Sequence, residues 1–91
     1  MANRLPTTKQ LQYFVALDKI HHFGKAAESC YVSQPAFSVA IRELENCLNV
    51  QLVDRDNKNV VITSVGKAVA DQARQILIGL HGLFHAAHVN L

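Results

Sequence analysis

The stretch Ser33-Gln34-Pro35-Ala36-Phe37-Ser38-Val39-Ala40-Ile41-Arg42-Glu43-Leu44-Glu45 opens as a helix with two unlike faces. Ser33 is a capping residue, because its hydroxyl accepts a bond from a free backbone N–H of the first turn. Pro35 suits that turn: its missing N–H costs nothing there and its fixed φ is already helical. Phe37, Ile41, Leu44 and Leu48 recur at i, i+4, i+7 and i+11, a stripe made for a core. Gln34, Ser38, Arg42 and Glu45 fall largely off it. The helix begins with uncharged hydrogen-bonding groups and turns charged later. A helix that enters the major groove of DNA needs this layout: a polar front end and a buried back.

Upstream, Phe23-Gly24-Lys25-Ala26-Ala27-Glu28-Ser29-Cys30 reads as a short helix with Ala26, Ala27 and Cys30 on its inner face. Tyr31-Val32 connects it to Ser33. Small residues let two helices cross closely, and a turn of three or four residues joins them in a helix-turn-helix. An ordinary antiparallel helix pair in an all-α core is the alternative reading of the same pattern.

A first helix spans Thr8 to Ile20, with Leu11, Phe14, Val15, Leu17 and Ile20 on one face. Thr7 and Gln10 form a capping box at its start. His21-His22-Phe23-Gly24 break the pattern. The two histidines read as surface turn residues, since adjacent imidazoles without further ligands rarely hold a metal.

After Leu48 the chain turns at Asn49, a residue that tolerates the left-handed backbone of a helix end. Val50 to Asp54 and Asn59 to Ile62 read as two strands joined by Arg55-Asp56-Asn57-Lys58, a wing that must lean on the helices. Its charge is mixed: Arg55 and Lys58 stand beside Asp54 and Asp56.

Thr63 caps a last, long helix whose N-terminal dipole offers a phosphate site. From there Val69, Ala73, Ile76, Leu80, Leu83 and Ala87 repeat at spacings of 4, 3, 4, 3 and 4, an a/d heptad widened by Leu77 and Phe84. The heptad favours pairing with a second copy over packing back on its own domain. Gly79 and Gly82 each weaken this helix by up to about 1 kcal/mol relative to Ala. His81, His85 and His88 share one face but have no carboxylate nearby to orient them.

Composition bounds the function classes. Ninety-one residues make one domain, and 49% apolar content is enough for a core. A net charge of +2 is a weak indicator of nucleic acid when taken alone. No apolar run approaches the ~20 residues that cross a bilayer, and Met1-Ala2-Asn3-Arg4 does not begin a signal segment. Cys30 and Cys47 match no metal or redox spacing and read as small buried thiols. No Ser/His/Asp set, paired carboxylates or phosphate-cradling Gly loop appears, so an enzyme is not expected. Neither a metal nor a cofactor is expected.

The run Phe23-x-x-Ala26-Ala27-x-x-Cys30-x-Val32-Ser33-Gln34-Pro35-x-x-Ser38-x-x-Ile41-x-x-Leu44-Glu45 resembles the N-terminal domain of the LysR-type transcriptional regulators. The resemblance continues through Leu48-x-Val50-x-Leu52-x-x-Arg55 and Thr63-x-x-Gly66, and covers Leu11 to about Ile78. His22-Phe23, Cys30-x-Val32-Ser33-Gln34-Pro35 and Asp71-Gln72-Ala73-Arg74-x-Ile76-Leu77 look most like the peroxide-sensing OxyR branch. Family members carry Gly-Ser where this chain has His21-His22, and Gly where it has Asn49.

The resemblance implies a mainly α, winged helix-turn-helix domain over 1–64 and a linker and dimerisation helix over 65–91. It implies a cytoplasmic DNA-binding regulator of transcription that pairs as a homodimer, and as a tetramer in the full-length protein. Gln34, Pro35, Ala36 and Ser38 would approach bases. Ser33, Arg42, Arg55 and Thr63 would hold phosphates, with Lys58 at the wing. Val69, Ala73, Ile76, Leu80, Leu83 and Ala87 would form the dimer seam. The cysteines that sense peroxide in OxyR-like proteins belong to a separate effector domain, so Cys30 and Cys47 do not inherit that role. The chain ends where such a domain would begin, which suggests an excised fragment. The alternative function is a helical dimerisation or protein-interaction module with no DNA role.

Overall fold

A computed structural model describes residues 4–56 and 58–89. Among them run α1 (Thr8–Ile20), α2 (Phe23–Ser29), α3 (Gln34–Leu48), β1 (Val53–Asp54), β2 (Val61–Ile62) and α4 (Ser64–Val89). α1 lies at the centre, packed against α2, α3 and α4, and α2 packs against α3. The fold is a winged helix-turn-helix with a long terminal helix.

Each helix is bounded by local chemistry. Thr7 Oγ1 accepts the Gln10 N–H at 3.1 Å, and Gln10 Oε1 accepts the Thr7 N–H at 3.0 Å, which completes the expected capping box. His22 caps α2 through Nδ1, which accepts the Lys25 N–H at 3.0 Å. Ser33 Oγ accepts the Ala36 N–H at 3.2 Å at the start of α3. The exits are alike too: His21, Tyr31 and Asn49 follow α1, α2 and α3 with φ of 59°, 61° and 56°. The left-handed residue turns the chain so that the next N–H groups return to orphan carbonyls. His21 and His22 thus do the backbone work of a Gly-Ser pair, a left-handed exit followed by a cap. Asn49 likewise takes the role of the usual glycine.

The core is continuous. Leu11, Phe14, Leu17, Ala26, Ala27, Phe37, Ile41, Leu44, Leu52, Val53, Ile62, Ala70 and Ala73 are buried. Phe37 joins three helices, stacking on Tyr13 of α1 at 5.3 Å between ring centroids and meeting Phe23 of α2 edge-on at 6.0 Å. Each such pair contributes about 0.5–1.5 kcal/mol beyond area burial. Since Phe37 is the fourth residue of α3, this cluster also fixes how far the helix tip protrudes.

The strands are shorter than the sequence pattern suggests: two residues each, paired Val53↔Ile62 and Asp54↔Val61. Residues 50–52 are held by other partners. The Val50 N–H closes α3 on the Glu45 carbonyl. The Leu52 N–H donates to Glu45 Oε2 at 2.8 Å. The Gln51 carbonyl accepts from Thr63 Oγ1 at 2.7 Å. Backbone groups satisfied in this way are not left over for a ladder. The turn keeps its predicted place, although Asn57 lies outside the described residues. Asp54 Oδ1 accepts the Asp56 N–H at 2.9 Å, so one of the wing's acidic residues helps to shape the turn.

α4 belongs to two environments. Gly66, Ala70 and Ala73 are buried on its near half, whereas residues 81–89 are exposed throughout. Its 26 residues extend about 39 Å. The radius of gyration is 14.3 Å, above the roughly 12 Å of a compact chain this long, because the far half projects.

Candidate nucleic-acid interface

The tip of α3 is the protruding polar element. With Phe37, Ile41 and Leu44 wholly buried, Gln34, Pro35, Ala36 and Arg42 are exposed and Ser38 is half-buried on the outward side. Ser33 lends its oxygen to the cap and keeps its hydroxyl proton as a donor. Val39, 54% exposed, adds an apolar spot on the same outward face.

Two surface grooves flank Gln34. One, about 440 Å³, is lined by His22, Gly24, Lys25, Glu28, Val32 and Gln34, among others. The other, about 240 Å³, is lined by residues including His21, His22, Gly24, Gln34, Lys58 and Asn59. The fold therefore brings Gln34 and Lys58 to one groove, as well as the start of α2. Gly24 makes room for this: a Cβ there would sit 3.2 Å from His22 Cε1 and 3.4 Å from Gln34 Oε1. His22 and Lys25 are additions that the sequence pattern did not single out as site residues. With Nδ1 accepting from Lys25, the neutral His22 ring carries its proton on Nε2. The signal that could have found them is the cap position itself, which sets an α2 terminus beside the tip of α3.

Other expected contacts have prior partners. Arg55 Nη2 pairs with Glu45 Oε1, and the Arg55 side chain is 32% exposed. Glu45 Oε2 accepts from the Leu52 and Val53 N–H groups at 2.8 and 3.2 Å. This carboxylate, 12% exposed, is thus a post between α3 and the wing. Arg55 is fixed at the wing base by that pair and keeps further N–H donors.

Thr63 has prior partners as well. Its hydroxyl donates to the Gln51 carbonyl and accepts the Gly66 N–H at 3.0 Å. A hydroxyl has one proton, and here the fold uses it, so the side chain does not offer that proton to a phosphate. The cap itself is as expected.

The expected seam along α4 divides. Ala73, 1% exposed, lies in this chain's own core, and Val69 packs half-buried against that core. Both are therefore committed inwards, because α1 covers this part of the stripe. Ile76 (44% exposed), Leu83 (63%) and Phe84 (70%) are open, Leu80 is half-buried, and Ala87 is exposed. A clamp absent from the sequence reading holds the two helices together. Asp18 of α1, 9% exposed, pairs with Arg74 Nη2 and lies 3.6 Å from Lys67 Nζ.

The cysteines are free and half-buried rather than fully buried. Cys47 Sγ donates to the Arg4 carbonyl at 3.0 Å. His81, His85 and His88 are exposed, and no group of three or more metal-binding side chains occurs among the described residues. No helix among them is long and apolar enough to cross a membrane.

Residues 8–67 match the family described as bacterial regulatory helix-turn-helix protein, lysR family. The chain is 46% identical over 69 residues to the DNA-binding transcriptional dual regulator OxyR of Escherichia coli K12, covering 76% of this chain and 23% of that one. It spans about a quarter of the length of such curated relatives. Among solved structures, a cysteine-to-aspartate variant of full-length OxyR from Pseudomonas aeruginosa aligns with a TM-score of 0.86 at 40% identity, over 89% of this chain and 28% of that one. The BenM DBD in complex with benA site 1 DNA aligns with a TM-score of 0.84 at 30% identity, over 89% and 91%.

Proposed function

The chain belongs to the LysR family of bacterial helix-turn-helix regulators, and from that premise we propose that it binds double-stranded DNA sequence-specifically as the DNA-binding part of a cytoplasmic transcription regulator. The observation that carries this reading is the exposed Gln34-Pro35-Ala36 tip on a helix whose Phe37, Ile41 and Leu44 are wholly buried. A rigid back and a protruding polar front let side chains reach base edges without the helix shifting. The BenM DBD, a relative of nearly the same extent, was solved with DNA.

In this reading Gln34, Pro35, Ala36 and Ser38 face bases. Ser33, Arg42 and Lys58 hold phosphates, joined by Lys25, by His22 through Nε2–H and by Arg55 through the donors that Glu45 leaves. Phosphate contacts set register and supply most non-specific affinity, and base contacts select sequence. A second copy covers Ile76, Leu80, Leu83, Phe84 and Ala87, so two α3 tips meet a two-fold site. In a longer protein such dimers would pair into tetramers. The identity to OxyR supports a peroxide-responsive parent.

The test is a salt titration of binding to random duplex, followed by selection of bound sites from a random pool. If each copy neutralises about three phosphates, a dimer loses about 10³ in affinity between 50 and 200 mM salt. Gln34→Ala should relax the selected half-site sequence, whereas Lys58→Ala should weaken all duplexes alike. No duplex binding at low salt would leave a dimerisation module in its place.

A further inference from the structure

We propose that Tyr31 is a further DNA-contacting residue, its phenolic hydroxyl donating to a phosphate oxygen at the lip of the groove that α3 enters. This rests on the DNA-binding reading above.

The backbone sets the problem. The Tyr31 N–H returns to the Glu28 carbonyl at 3.0 Å and the Val32 N–H to the Ala27 carbonyl at 3.1 Å. These two bonds close α2, and they require a left-handed residue at position 31, where φ is 61°. Glycine is the usual occupant. Where α1 and α3 make the same demand, His21 and Asn49 meet it, and both residue types are enriched at positive φ. A bulky aromatic is a genuine outlier there.

Among the described residues nothing offsets that strain. The Tyr31 side chain is 95% exposed. Tyr13, by contrast, stacks its ring on Phe37. The half-buried Val32 takes the inward position beside the α2 end, so Tyr31 is not needed for packing. A strained, fully exposed aromatic makes sense if its partner lies outside the chain.

Position identifies that partner. Tyr31 stands two residues before the Ser33 cap and three before Gln34, and Ser33, Gln34, Pro35 and Ala36 are all exposed. The major groove is about 12 Å wide and walled by phosphates. A residue just off the helix that fills the groove lies over the wall rather than the floor. A phenol there meets a phosphate oxygen and carries no base information.

The test compares Tyr31→Phe and Tyr31→Gly with the parent chain on a random-sequence duplex and on a selected duplex, with thermal unfolding alongside. Tyr31→Phe should weaken binding to both duplexes by the same factor, about tenfold. It should leave Tm and the salt slope unchanged, since no cation is removed. Tyr31→Gly should weaken binding at least as much while raising Tm by a few degrees, because glycine adopts the left-handed conformation without penalty. Tyr31→Phe binding like the parent, a loss confined to the selected sequence, or a Tyr31→Gly variant that melts below the parent would each overturn the inference. A parent chain that binds no duplex sinks the DNA reading together with this inference. A parent that binds, matched by Tyr31→Phe, sinks this inference alone.

Discussion

The two halves of α4 share one heptad rhythm and have opposite fates. On the near half Gly66, Ala70 and Ala73 are buried in the chain's own core, with Val69 half-buried against it. On the far half the stripe continues through Leu80, Leu83 and Phe84, with the last two 63% and 70% exposed. Periodicity says only that a stripe must be covered. Burial says by what: the residues that α1 and the wing cover are committed to this chain, and Leu83 and Phe84 are surface that they do not reach. An exposed stripe of this kind is what a second copy would bury.

The largest effect should come from filling the close approach. A Cβ at Gly66 would lie 2.4 Å from the Leu52 carbonyl oxygen and 2.8 Å from Ile62 Cγ2. Gly66→Ala should cost about 2–3 kcal/mol in urea denaturation, since the neighbours are backbone and packed side chain. Near-parent stability would mean that the wing base yields.

Next, in the dimer proposed above, Leu83→Lys with Phe84→Lys should raise the dissociation constant about 100-fold, equivalent to about 2.7 kcal/mol, in sedimentation measurements. The monomer's Tm at dilution should not change. A drop in that Tm would show that the far half serves the fold after all.

A smaller effect is expected at the clamp between α1 and the near half. Asp18→Asn removes the carboxylate that Arg74 and Lys67 share. The expected cost is about 1–2 kcal/mol, because Asp18 is largely buried while Arg74 is partly solvated. Stability equal to the parent's would reduce the clamp to a surface ion pair.

The smallest effect has the opposite sign. Among the described residues nothing beyond the helix's own backbone lies within 4 Å of a Cβ at Gly79 or Gly82. Gly79→Ala and Gly82→Ala should each stabilise the far half by about 0.5–1 kcal/mol, read as increased helicity by circular dichroism. The same substitution thus harms one half and helps the other. Weakened dimerisation would instead mark a glycine as a contact between copies.

Much of the fold was legible because its signals act over a few residues. Thr7 with Gln10, Ser33 with Pro35, and Asn49 each bound a helix through groups three to five positions apart. The stripe of Phe37, Ile41 and Leu44 then told which side of α3 is buried, and hence that Gln34 is not. The wing was legible only as a turn between apolar runs. Its strands are short because the Glu45 carboxylate takes the Leu52 N–H and the Thr63 hydroxyl takes the Gln51 carbonyl, and no local pattern announces such bonds. The same limit applied at the interface. The sequence named Arg55 and Thr63 by position, but not that a carboxylate holds one and the cap consumes the other's hydroxyl.

From the residues alone came the helix boundaries, the buried stripe of α3 and the heptad of α4, since capping and periodicity need only neighbours along the chain. Tertiary structure decided which part of that heptad stays open, which polar groups are already paired, and that His22, Lys25 and Lys58 gather around Gln34. Those outcomes depend on residues far apart in sequence meeting in space, and the spacing of like residues carries no record of such meetings.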